Sequence, residues 1–224
     1  MATVKNQRSL NVTASDIFKY IPNKIGYARI ITMVLSLFFM KSCPLLTTLI
    51  YGISCLLDAV DGTMARKYNQ CSGFGAVLDM IADRSTTACL IIYLSSVYPS
   101  YLMPFFQMAN ALDLCSHYMH MYATLSTGGG KSHKDIEKEQ WLLNLYYSRR
   151  DVLFTICAFN ELFYMALYWC SFVDRKCWYT LGIYTTIICL PGYIFKQIAN
   201  VVQMNRAAVL LANKDAQNVN NNKK

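Results

Sequence analysis

Asp58-Ala-Val-Asp-Gly-Thr-Met-Ala-Arg66 is followed, after an eight-residue gap, by Gly75-Ala-Val-Leu-Asp-Met-Ile-Ala-Asp83. Four aspartates therefore lie in or beside strongly apolar sequence, where an ionised side chain is costly and marks function. Their spacing is helical. Asp58, Asp61, Gly62 and Ala65 fall at i, i+3, i+4 and i+7, on one face. Gly75, Asp79 and Asp83 fall at i, i+4 and i+8, on one face of a second helix. Set against each other, these faces bring four carboxylates together, with glycine and alanine where a ligand must come close. Like charges so arranged need protons or bound cations, and an oxygen-rich cluster suits magnesium or manganese.

Around this stretch the chain reads as an all-α, polytopic membrane bundle. About half of its 224 residues are apolar, and they come in long runs. The runs predict about six membrane-crossing helices: 25–40, 45–60 with a continuation to Arg66, 74–97, 101–125, 152–173, and 178–203 with a kink at Pro191-Gly192. A short interfacial helix over 17–21, capped by Ser15 or Asp16, precedes them. The membrane domain covers 15–206, between polar tails at 1–14 and 207–224. The stretch from Asn213, rich in Asn, Lys and Gln, is expected to be disordered. No uninterrupted apolar run precedes a small-residue cleavage site near the N-terminus, so no cleaved signal is expected.

Charge orients the bundle. Lys5, Arg8, Lys19 and Lys24 precede the first crossing, Arg66 and Lys67 follow the second, and Lys131, Lys134, Lys138, Arg149 and Arg150 follow the fourth. Arg206, Lys214, Lys223 and Lys224 follow the sixth, whereas the opposite loops carry only Lys41, Arg175 and Lys176. The positive-inside rule puts both termini and the aspartates on the cytosolic side. The net charge of +8 reflects this topology and contact with anionic lipid, and no nucleic-acid partner is expected. The nine cysteines are scattered singly without zinc spacing, which marks them as small reduced hydrophobes.

The aspartate stretch fills every fixed position of D-x2-D-G-x2-A-R-x8-G-x3-D-x3-D, and so resembles the signature of the CDP-alcohol phosphatidyltransferases. That resemblance implies transfer of a substituted phosphate from a CDP-linked donor to an alcohol, with release of CMP. It implies that Asp58, Asp61, Asp79 and Asp83 hold two divalent ions, Mg2+ or Mn2+, and that Asp83 is the general base and catalytic residue. Donor contacts are implied for Gly62, Ala65, Arg66, Ser72 and Gly75. Pro22-Asn-x-Ile-Gly-x-x-Arg29 resembles the family's first-helix pattern and adds Asn23 and Arg29 to them. The glycines also suit close helix packing, and the arginines also suit lipid contact.

Further stretches are similar to the family members that use inositol: Phe74–Arg84, Asp113–His120, Ser132–Lys134, Tyr146–Arg149 and Asn160–Tyr164. They imply CDP-diacylglycerol as donor, myo-inositol as acceptor, residence in the endoplasmic reticulum membrane, and a homodimer. Asp113, His117, Lys134 and Arg149 are candidates to bind the acceptor. Asp113 and His117, at i and i+4, are equally suited to satisfying each other inside the bundle. Another alcohol acceptor (glycerol phosphate, serine or choline) stays open, as does a cation transporter with buried carboxylates. The transporter reading leaves Gly62, Ala65, Arg66 and Gly75 without a role.

Overall fold

The computed structural model describes residues 12–126 and 150–222. Among them are seven α-helices, one 3-10 turn and no strand. The helices are α1 (Ala14–Phe18), α2 (Ile21–Phe39), α3 (Pro44–Lys67), α4 (Gly73–Val97), α5 (Met103–Ser126), α6 (Arg150–Cys170) and α7 (Lys176–Asn221), with the 3-10 turn at Ser100–Leu102 before α5. Among the described residues α3, the 152–170 part of α6, and α7 are long and apolar enough to cross a membrane. The chain divides into two compact units: 1–39 with 45–82, and 40–44 with 83–224. Helix α4 contributes its first turns to one and its remainder to the other.

Each unit buries polar side chains and exposes apolar ones. In the first, Asn23, Arg29, Ser36, Thr47, Ser54 and Asp61 are buried while Phe38 and Leu56 are 76% and 71% exposed. In the second, Thr87, Asp113, Asn160, Lys196 and Asn200 are buried while Met108, Ile187 and Ile188 are exposed. An apolar exterior of this extent suits lipid, and a polar interior there satisfies its groups within the protein.

The first unit is built by a tight return. Helix α3 ends in a Schellman motif: Asn69 takes the left-handed conformation, φ 52°, Gln70 N donates to Ala65 O at 2.9 Å, and Asn69 N donates to Arg66 O at 3.4 Å. The Ser72 hydroxyl then caps α4, accepting from Gly75 N at 3.0 Å. Helix α2 is tied to this turn, since Ile21 N donates to Gln70 Oε1 at 2.8 Å. The Phe18 and Phe74 rings meet edge to face at 5.0 Å.

In the second unit α7 packs along α6 and α5. Small residues allow the approach. A Cβ on Gly182 would lie 2.6 Å from Cys170 Sγ and 2.7 Å from Ala166 O, and one on Gly192 would run into the Phe159 ring. Phe163 stacks on Tyr193 at 4.0 Å. Gly192→Ala is therefore expected to cost about 1–3 kcal/mol through overpacking. A lowered melting temperature in detergent reads this out, and an unchanged melt means that α6 has room to yield.

Three local features differ from the sequence expectation. The first short helix is α1, beginning at Ala14, and its N-cap is Thr13 rather than Ser15 or Asp16. Asp16 instead accepts from Thr13 Oγ1 at 2.7 Å and Thr13 N at 2.9 Å, which holds its carboxyl below the ordinary value. Helix α7 continues unbroken through Pro191 to Asn221, where disorder was expected from Asn213. Composition weighs against nucleating a helix there, but extending one already formed needs no nucleus. Ala207 and Leu210 are buried, and Lys214 Nζ donates to Ser126 O at 2.6 Å. All nine cysteines are free, as expected.

Candidate active site

The return at 68–72 sets the C-terminal half of α3 against the first turns of α4. Asp58 and Asp61 from α3 then meet Asp79 from α4. One carboxylate oxygen from each lies within 4.8 Å of the others, and this is the group among the described residues able to hold a metal ion. Helical periodicity alone aligns these faces.

A cation from a third helix enters the group. Arg29 Nη1, on α2, lies 2.8 Å from Asp58 Oδ1, 2.9 Å from Asp61 Oδ2 and 2.6 Å from Asp79 Oδ1. Its side chain is 3% exposed, against 42% for Asp58 and 48% for Asp79. The half-exposed carboxylates remain reachable from water. Three carboxylates against one guanidinium leave the site net negative, and its ligands are all oxygen, the donor set that hard divalent cations prefer.

The other donor candidates belong to the same unit. Asn23 is buried and its Nδ2 donates to Ile17 O at 2.6 Å. A Cβ on Gly75 would lie 2.8 Å from Asn23 Oδ1 and 3.1 Å from Ser72 Oγ. Gly75 thus makes room for Asn23 as well as for any ligand. A Cβ on Gly62 would meet only Arg66 Nη1, at 3.5 Å, an ordinary contact. Arg66 is exposed in the last turn of α3, where it complements the helix dipole. Ala65 is half-buried. Gly75→Leu is expected to push Asn23 aside and weaken donor binding by at least about tenfold, the scale on which a small misplacement acts. Titration of CDP-diacylglycerol against the purified variant measures this, and wild-type affinity means that close approach at Gly75 is not required.

Asp83 belongs to the second unit and is not a member of the three-carboxylate group. Its Oδ2 lies 3.5 Å from Arg84 Nη2. Arg84 Nη1 donates to both oxygens of Asp113, at 2.8 and 2.7 Å. His117 Nδ1 lies 2.8 Å from the Asp113 carbonyl oxygen and donates to it, so Asp113 and His117 do engage each other within α5. Asn200 on α7 donates to Asp113 Oδ1 at 3.4 Å. Beside them, Thr87 donates to Glu161 Oε1 at 2.9 Å, and Gln197 donates to Asn160 Oδ1 at 3.1 Å. Lys134 and Arg149 lie outside the described residues.

Sequence reasoning missed three members of this polar interior: Arg84, Lys196 and Asn200. A signal existed. Lys196, Asn200 and Gln203 fall at i, i+4 and i+7 in an apolar run, the pattern that singled out the aspartates, and all three are buried.

The family model described as CDP-alcohol phosphatidyltransferase matches residues 19–212. A Saccharomyces cerevisiae CDP-diacylglycerol–inositol 3-phosphatidyltransferase is 58% identical over 220 residues, covering 98% of each chain. The Candida albicans protein of that name is 50% identical over 206 residues, covering 92% of this chain and 87% of its own. The human one is 40% identical over 204 residues, covering 90% of this chain and 95% of its own. No solved structure matches the chain.

Proposed function

The chain belongs to the CDP-alcohol phosphatidyltransferase family, and from that membership we propose that it transfers the phosphatidyl group of CDP-diacylglycerol to myo-inositol, giving phosphatidylinositol and CMP. Relatives at 40–58% identity over nearly the whole chain carry that activity in their names. The observation that supports the chemistry is the Asp58–Asp61–Asp79 group gathered around Arg29.

Asp58, Asp61 and Asp79 would hold Mg2+ or Mn2+, with Asp83 completing a set for two ions. Bound there, the metal supplies charge neutralisation of the donor diphosphate and of the departing CMP. The chain's own groups do the rest. Asn23, Arg29, Arg66 and Ser72 bind and orient the donor, with Arg66 exposed at the end of α3 to meet a phosphate. Gly62, Ala65 and Gly75 keep the approach clear. Asp83 takes the proton from the attacking inositol hydroxyl as the new oxygen–phosphorus bond forms and the bond to CMP breaks. Asp113 and His117, together with Lys134 and Arg149, organise the acceptor side.

The chain is an integral membrane protein. Helices α4 and α5, of 25 and 24 residues, are long enough for a hydrocarbon core of about 30 Å at about 1.5 Å per residue, and α2, of 19 residues, spans it with slight local thinning. With the three strongly apolar helices they make six crossings, and α1 lies at the interface. Both termini and the aspartates face the cytosol, in the endoplasmic reticulum membrane, and the protein pairs as a homodimer.

The acceptor is tested with purified protein in detergent, CDP-diacylglycerol and Mg2+ or Mn2+, offering inositol, glycerol phosphate, serine and choline separately. CMP release with inositol is expected. Release with glycerol phosphate and none with inositol overturns the assignment.

A further inference from the structure

We propose that the second unit contains a binding site for a neutral polyol, framed by Arg84 on α4, Asp113 on α5 and Asn200 on α7, and that this site takes the inositol ring. The inference rests on the inositol-transfer reading above and adds the residues that recognise the acceptor.

Asp113 is buried and both its oxygens are used: Arg84 Nη1 donates to each, and Asn200 Nδ2 also donates to Oδ1. Arg84 and Asn200 therefore flank one carboxylate oxygen. Each keeps a buried polar atom that makes no hydrogen bond, Arg84 Nε and Asn200 Oδ1. Such atoms are rare in folded proteins and call for a partner. One here is a donor and the other an acceptor. A ring bearing several hydroxyls meets both needs at once, because each hydroxyl accepts and donates.

Charge selects among ligands. Asp83, Asp113 and Glu161 act together on Arg84, and with Lys196 beside them the cluster carries one formal negative charge in excess. A phosphate would add to that excess, so an uncharged alcohol fits better than an anionic one. A ring held by Arg84 also comes under the reach of the proposed base, since Arg84 Nη2 lies 3.5 Å from Asp83 Oδ2. The side chains of Arg84 and Asp83 are 15% and 31% exposed. Asn200 itself is fully buried.

Two variants test the assignment. Arg84→Lys keeps a cation for Asp113 but has no counterpart of Nε. Asn200→Leu keeps volume and removes the amide. Each is expected to raise KM for myo-inositol by at least about tenfold, because a site built to bond hydroxyls discriminates through them. KM for CDP-diacylglycerol stays within about twofold, and discrimination between myo- and scyllo-inositol narrows. Melting in detergent reports folding, and Arg84→Lys decides the matter if Asn200→Leu does not fold. Unchanged KM for inositol in Arg84→Lys overturns the site, as does a loss confined to kcat. Wild-type protein that releases no CMP with inositol defeats the underlying reading instead, and the two failures are distinct.

Discussion

Asp83→Asn is expected to reduce CMP release by about 10²–10⁴-fold, the range that a positioned general base contributes, while the protein melts at its normal temperature. The substitution keeps shape and hydrogen bonding but removes the ability to take a proton. Folding survives because Arg84 does not depend on Asp83: its bonds to Asp113, at 2.7 and 2.8 Å, remain. A buried cation that keeps its main partner escapes the large penalty of an uncompensated charge. CMP release and a thermal melt on the same preparation separate loss of chemistry from loss of structure. Full activity in the variant removes Asp83 from the role of base.

Asp61→Ala carries the second large effect. Asp61 is the least exposed of the three grouped carboxylates, at 9% against 42% for Asp58 and 48% for Asp79. Removal of a residue that merely supports a metal ligand costs about 10–100-fold, and removal of a ligand itself is expected to exceed that in both activity and metal affinity. Arg29 still pairs with Asp58 at 2.8 Å and Asp79 at 2.6 Å, so the unit is expected to stay folded. Electron paramagnetic resonance of bound Mn2+ reads the affinity without reference to turnover. An unchanged Mn2+ titration excludes Asp61 as a ligand.

These residues also show what was legible beforehand. Asp58, Asp61 and Asp79 meet because a helix repeats about every 3.6 residues and a short turn folds one face onto the next. Both facts are local, and both are written in the spacing. Arg29 was named as a donor contact, but its seat among the carboxylates was not legible. It stands 32 residues before Asp61, and periodicity says which face a residue occupies without saying what opposes it. The same limit hid Arg84 against Asp113, 29 residues apart, and Asn200 against Asp113, 87 apart. Ser72 was assigned to the donor by its motif position, and its hydroxyl also caps α4. The helix from Asn213 to Asn221 was misjudged because composition was weighed without the helix that precedes it.

Helix α7 runs for 46 residues, about 69 Å at about 1.5 Å per residue, against an apolar slab of about 30 Å. Its far end must therefore stand clear of the lipid as a stiff mast, braced partway along where Lys214 donates to Ser126 O at the end of α5. A fluorophore attached at its tip would be held at a fixed stand-off from the bilayer surface, and energy transfer to labelled lipid would serve as a ruler of that height.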